Sequence, residues 1–144
     1  MLEVCHLEHT TLLSLNRPQR GNALNLAILQ ALETALIESA QEPRPFLMIQ
    51  GAGKHFCTGM DLEDAQMSAG HHIKILTTLQ SVLHQIYHHP STTIVYTHGC
   101  AFGGALGMIA AVDWAMAHPK ARFRCPETHI GLLPTIIFPY LSAA

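Results

Sequence analysis

A chain of 144 residues with 49% hydrophobic content is the size of one domain and carries enough apolar side chain for a core. Its 8 basic and 10 acidic residues leave a formal charge of -2 without a basic run, which excludes the electrostatic footprint of a nucleic-acid binder. Cys5, Cys57, Cys100 and Cys125 are widely spaced and form no CxxC pair, so neither a structural zinc site nor a redox motif is signalled and reduced thiols are expected.

The segment Leu2 to Leu15 has strand-like pieces leading into the turn Asn16-Arg17-Pro18, which predicts a hairpin or strand-loop entry. From Asn22 to Gln41, Leu26, Leu29, Leu32 and Leu36 recur at intervals of three and four with Glu33 and Glu38 off the stripe, an amphipathic helix that stops before Pro43. Phe46 to Gln50 reads as a buried strand, followed by the glycine turn Gly51-Ala52-Gly53. Met67 to His88 carries Ile73, Leu76, Leu79, Leu83 and Ile86 at helical spacing, a stripe expected in the core, and Pro90 marks its end. The β-branched run Thr93 to Thr97 predicts a strand, and Trp114 to Ala117 another. Trp114, Phe102 and Phe123 are expected as core aromatics. Strands alternating with helices indicate an α/β fold with crossover helices between parallel strands.

The stretch Ser91 to Val112 has no Asp, Glu, Lys or Arg and is long enough to raise a membrane span. Its Ser91, Thr92, Thr93, Thr97 and His98, with glycines at 99, 103, 104 and 107, fit a strand, a turn and a helix better. Glu3, His6 and Glu8 stand where a signal peptide would place its apolar core, so a cytoplasmic location is expected. Among 11 histidines, His84 and His88 have the i, i+4 spacing of two ligands on one helix face, yet no HExxH or nearby acid accompanies them, and solvent-facing histidines are expected.

Two segments can carry chemistry, and both place a glycine turn directly after a strand, where α/β folds position ligand contacts. They are GAGKHFCTGMDLED (Gly51 to Asp64) and GCAFGGALGMIAAV (Gly99 to Val112). Helix N-terminal N–H groups lack intrahelical partners and stand at the positive end of the dipole, so a helix opening at Gly103-Gly104 can stabilise a carbonyl oxygen that gains charge. If the two turns adjoin, one N–H from each can clasp the same oxygen. GxGxxG, GxxxxGK[ST] and GxSxG are all absent, which sets aside nucleotide-cradling loops and a serine elbow. Cys57 with His98 forms a nucleophile–base pair only formally, because no third orienting group accompanies them.

The segments LNRPQRGNALN (Leu15 to Asn25), GAGKHFCTGMDLED and GCAFGGALGMIAAVDWAMAHPKARFRCPETHIGLLP (Gly99 to Pro134) together resemble the successive signatures of the crotonase, or enoyl-CoA hydratase/isomerase, superfamily. The resemblance implies a ββα spiral, trimeric or a dimer of trimers, that takes acyl thioesters of coenzyme A or acyl-carrier protein and needs no metal or separate cofactor. It implies an oxyanion hole from the N–H groups of Met60 and Gly104, with Gly103 beside the latter. Asp61 and Leu62 would lie beside the thioester and pantetheine, and the backbone of Asn22 and Ala23 near the nucleotide end.

Hydratases of this kind carry one Glu in the helix after the glycine turn and another in a Pro-Glu segment; the first position is Gly107 here and the second is Glu127. A single acid at Glu127 fits a double-bond isomerase or a dehydratase, whereas hydration divides its work between two carboxylates. FCTGMDLED and GLLPTIIFPYL also resemble polyketide-pathway dehydratases of hydroxymethylglutaryl-type thioesters and methylglutaconyl-CoA hydratases, the favoured branch.

Simpler readings stand beside these. Pro126-Glu127 is an ordinary helix start, Gly103-Gly104 allows close strand-to-helix packing, and Asp61 serves as a cap. Because the family continues past GLLP with helices that cover the acyl pocket and build the trimer, residues 1–144 are expected as one domain lacking those C-terminal helices. An inactive thioester-binding or assembly module is the competing expectation.

Overall fold

The computed structural model describes residues 1–126 and 135–144. A five-stranded sheet forms the centre, built from β1 (Leu2–His6), β2 (Thr10–Leu15), β3 (Phe46–Gly51), β4 (Thr92–Thr97) and β6 (Trp114–Ala117) in the order β1-β2-β3-β4-β6. β1 and β2 are the expected antiparallel hairpin, and every later pairing is parallel. Register aligns Leu13 with Ile49 and Ile49 with Val95, so one apolar row runs across three strands with each side chain fully buried.

Two helices cross over between the parallel strands and pack against each other, α1 (Leu26–Gln41) and α3 (Ala69–Tyr87). α1 starts later than the periodicity indicates. Asn22 sits at φ 55 in the left-handed region, Leu24 forms a parallel bridge with Met60, and Asn25 caps the helix by accepting the Ile28 N–H at 2.9 Å. Asn tolerates the left-handed well and is a preferred cap, so the sequence carried both signals. In α3 the buried stripe is Ile75, Leu79, Val82, Leu83 and Ile86; Ile73 is exposed and Leu76 half-buried, which rotates the expected core face.

A second, two-stranded sheet pairs β5 (Cys100–Phe102) with β7 (Arg122–Arg124) in parallel. The remaining described helices are a 3-10 turn at Pro18–Arg20 and three short α-helices, α2 (Leu62–Ala65), α4 (Gly104–Ala111) and α5 (Phe138–Ala143). The expectation of core aromatics fails at two positions. Trp114 and Phe123 are 67% and 51% exposed because β6 is the last strand of its sheet and β7 the outer strand of its own; Phe102 is half-buried. None of the described helices is long and apolar enough to cross a membrane. No disulfide joins any two of Cys5, Cys57, Cys100 and Cys125, and His84 and His88 are both exposed with ring centroids 4.4 Å apart.

Candidate active site

The two glycine turns adjoin. Cys57 bridges to Ala101, with the Cys57 N–H donating to Cys100 O at 3.1 Å and the Phe102 N–H donating to Cys57 O at 3.0 Å. Two residues further on, Gly59 adopts φ +94, and a Cβ placed there would lie 3.1 Å from Phe102 O, so only glycine fits this close approach.

Met60 owes its orientation to a neighbouring bridge. The Leu24 N–H donates to Gly59 O at 2.7 Å and the Asp61 N–H donates to Leu24 O at 2.9 Å. A parallel bridge of this kind consumes the peptide groups on either side of Met60 and turns Met60's own N–H to the opposite side. On the second turn, Gly103 takes φ 54, ψ -120, conformational space open to glycine, and its N–H donates to Arg124 O at 3.0 Å. Gly104 then opens α4, where an N–H has no intrahelical partner. Neither the Met60 nor the Gly104 N–H is hydrogen-bonded among the described residues. Both turns thus carry an unspent donor, one of them at the positive end of a helix.

Asp61 anchors the Met60 loop. It is 5% exposed, accepts from Arg17 Nη1 at 2.5 Å, lies 3.5 Å from Arg20 Nη2, and caps α2 by accepting the Glu63 and Asp64 N–H groups. Burial pushes its carboxyl up, but the Arg17 hydrogen bond, the Asp64 N–H and the charges of Arg17 and Arg20 outweigh this and hold it below the usual carboxylate value. The cap reading of Asp61 therefore describes what its carboxylate does, and the residue next to it holds the donor. Asp64 Oδ2 accepts the Leu26 N–H at 2.9 Å, which ties α2 to the start of α1.

The Asn22 side chain and the Asn22 and Ala23 N–H groups make their hydrogen bonds within the protein. The fully buried Asn22 side chain accepts the Arg17 N–H and donates to Ala52 O and His55 O, each at 2.8 Å, bolting the first loop to the second. The Asn22 and Ala23 N–H groups are themselves spent on Arg17 O and Arg20 O. Leu62, the first residue of α2, is 67% exposed. Arg17 and Asp64 were not singled out from sequence; the signal available was a lone buried acid, Asp61, which requires a cation.

Cys57 is ruled out as a nucleophile in its folded environment. It is fully buried, and burial pushes its thiol up to about 12 against a small opposing effect of the Gly59 backbone. His98 Nε2 hydrogen-bonds Gly53 O at 2.8 Å. Among the described residues no cluster of three or more His, Cys, Asp or Glu side chains is arranged to hold a metal.

A cleft of about 250 Å³ lies along Arg17, Asn25, Asp61, Glu63, Asp64 and Met67, beside the Met60 loop. A larger open depression of about 480 Å³, lined by Tyr96, His98 and Lys120 among others, is bordered by neither Met60 nor Gly104. Glu127 lies outside the described residues. Gly107, where a second acid was sought, faces Ile137 and Leu83: a Cβ there would stand 2.6 Å from Ile137 Cγ2 and 2.9 Å from Leu83 Cδ1.

The sheet order, the crossover helices and the two adjoining glycine turns define an α/β chain of the crotonase-like ββα class. The chain belongs to the enoyl-CoA hydratase/isomerase family, whose sequence profile matches residues 10–143. Enoyl-CoA hydratase ACTT6 of Alternaria alternata is 35% identical over 142 residues, covering 94% of this chain and 45% of that protein. A crystal structure of enoyl-CoA hydratase from Mycobacterium smegmatis superposes with a TM-score of 0.92 at 31% identity, covering 99% of this chain and 57% of the other. Enoyl-CoA hydratase domain-containing protein 3 of Rattus norvegicus is 30% identical over 121 residues, 82% of this chain and 40% of that protein. The chain thus spans about half the length of the relatives it matches. The rat protein and its frog, mouse and human counterparts are mitochondrial, which overturns the cytoplasmic expectation.

Proposed function

We propose that this chain binds an acyl thioester and stabilises its enolate oxygen between the N–H groups of Met60 and Gly104, with Glu127 moving the proton. The observation that carries the reading is the pair of unspent donors on adjoining glycine turns, 59–60 and 103–104. Preorganised donors aimed at developing negative charge need no reorganisation during reaction, and losing one typically costs about 3–4 kcal/mol. Gly103 shapes the second turn, while Asp61 holds the first through Arg17.

The substrate is a hydroxyacyl or enoyl thioester of coenzyme A or carrier protein, and the reaction is dehydration and its reverse or relocation of the double bond. A hydroxymethylglutaryl-type thioester is the favoured dehydration substrate. The thioester handle passes along the cleft beside Asp61 and Leu62, with the Asn22–Ala23 loop toward its nucleotide end, and the working form is a homo-oligomer. The exposed Trp114, Met116 and Phe123 favour a second reading, a thioester-binding or assembly module without turnover.

Incubation of the purified protein with 3-hydroxy-3-methylglutaryl, 2-enoyl and 3-enoyl thioesters, followed by mass spectrometry, separates these outcomes. Loss or gain of water marks a lyase, equal mass with a moved double bond marks an isomerase, and binding without change marks the module. Glu127→Gln is expected to abolish turnover while thioester binding persists; unchanged turnover rejects the role given to Glu127.

A further inference from the structure

The open depression of about 480 Å³ takes no part in the oxyanion geometry, and three parallel strands end around it. β3 runs into Gly53-Lys54-His55, β4 into His98-Gly99 and β6 into His118-Pro119-Lys120, so each loop delivers an imidazole and two of them a lysine. The carboxyl ends of parallel strands are where open α/β sheets hold ligands. Backbone contacts fix the rings. His98 Nε2 donates to Gly53 O at 2.8 Å, His55 Nδ1 accepts the Cys100 N–H at 3.2 Å, and His118 Nδ1 accepts the Lys120 N–H at 3.1 Å. A neutral imidazole carries one donor and one acceptor, so His118 keeps its Nε2–H as an unspent donor. Gly99 adds an N–H that is not hydrogen-bonded among the described residues. Tyr96 stacks on the His98 ring with centroids 6.0 Å apart and brings a phenol to the same wall. No carboxylate lines the depression. In a chain of formal charge -2, its cations face one another uncompensated: burial, then Lys54 and His98, push the His55 imidazole below its usual value.

We propose that this depression binds a phosphate dianion, free or as the end group of a phosphomonoester, through the Lys120 amine, the His118 Nε2–H, the Gly99 N–H and the Tyr96 hydroxyl. These four donors reach the depression from two loops and the end of β4. A phosphate group matches them better than a carboxylate does, because it carries about -1.5 to -2 charges at pH 7 and three strong acceptor oxygens, against one charge and two oxygens. The lysine supplies charge, and the imidazole, phenol and backbone N–H supply direction. Neither Met60 nor Gly104 borders the depression, so the inference stands or falls independently of the enolate reading.

The test is an NMR titration of the imidazole signals with inorganic phosphate and with glycerol 3-phosphate, with pH fixed and ionic strength held constant with chloride. His98 and His118 are expected to shift saturably, while His84 and His88, exposed at the end of α3, stay still as internal controls. The tighter of the two probes identifies the free ion or the monoester as the source. Lys120→Ala and His118→Ala, both at exposed positions, are each expected to weaken binding about 10-fold, the effect of losing one hydrogen bond to a charged group. Lys120→Arg should keep most of the affinity, and Lys74→Ala, which removes an exposed cation of α3, should leave it unchanged. Dephospho-coenzyme A, which has the diphosphate of a thioester handle but no phosphomonoester, is expected not to compete. Competition by it overturns the inference, because the depression would then serve the thioester. Equal shifts at His84 and His88, or equal weakening by Lys74→Ala, also overturn it, since unspecific attraction of anions would then account for the binding. So does a titration that fails to saturate with either probe.

Discussion

Asp61→Asn removes one charge from a buried pair while sparing the helix cap, since Asn and Asp cap α-helices about equally well. The partner, Arg17, has a side chain only 16% exposed and donates to Asp61 at 2.5 Å. Breaking a buried pair by removing one member costs about 3–5 kcal/mol, because the other charge is left without compensation. Arg17 keeps some access to water, and Arg20 retains Glu63 at 2.6 Å, so the lower end applies, about 3 kcal/mol. For a chain of this length that corresponds to a fall of about 10 °C in melting temperature. Asp61→Ala also removes the cap of α2 and should cost about 1 kcal/mol more.

The pH dependence supplies an independent check on the same residue. Its folded-state carboxyl is held below the unfolded value, so the pair's stabilisation is complete above the ordinary Asp range and is lost as pH falls through the depressed folded value. Urea titrations followed by circular dichroism across an acid series should show that limb in the unchanged protein and a flatter one in Asp61→Asn. Turnover should fall as well, because Met60 adjoins the loosened residue. Equal stability of Asp61→Asn and the unchanged protein near neutral pH, with the same acid limb, would refute the account.

Gly59→Ala combines a φ of +94 with a Cβ placed 3.1 Å from Phe102 O. It should spread the two turns and cut turnover by about 10²–10³-fold, the effect of losing one oxyanion donor, with thioester binding measured by calorimetry as the control. Burial pushes the His89 imidazole below its usual value, the Leu36 backbone acting the other way, while its Nδ1 accepts the Ser91 N–H at 3.1 Å. Its unfolded form takes up a proton at higher pH than its folded form, so stability should fall as pH drops below about 6.5, and His89→Gln should remove that limb from thermal melts. A thiol reagent at mildly alkaline pH should label Cys5 quickly in the native protein and Cys57 only on unfolding; mass mapping of native label on Cys57 would contradict its burial.

Much of the element order was legible because its signals are local. The leucine stripe of α1, the β-branched run of β4 and the Asn-Arg-Pro turn each lie within a few residues of the feature they specify. The short elements α2, α5, β5 and β7 escaped notice, being three to six residues long with too little sequence for a period to show. Trp114 and Phe123 misled because hydrophobicity reports what a side chain favours, whereas exposure depends on which strands end a sheet.

The sequence by itself determined where the glycine turns fall and which family signatures the chain carries. The glycine turns after strands, Glu127 and the glycine at 107 are written in residue types, and at the turns positive φ and close backbone approach admit few alternatives. Only the tertiary structure decided that turns more than forty residues apart adjoin, that Asp61 belongs to Arg17, and that Ile137 fills the space over Gly107. Such contacts join distant parts of the chain. Their geometry follows from how β2, β3 and β4 align and how α4 settles against α3 and α5, which no local pattern encodes.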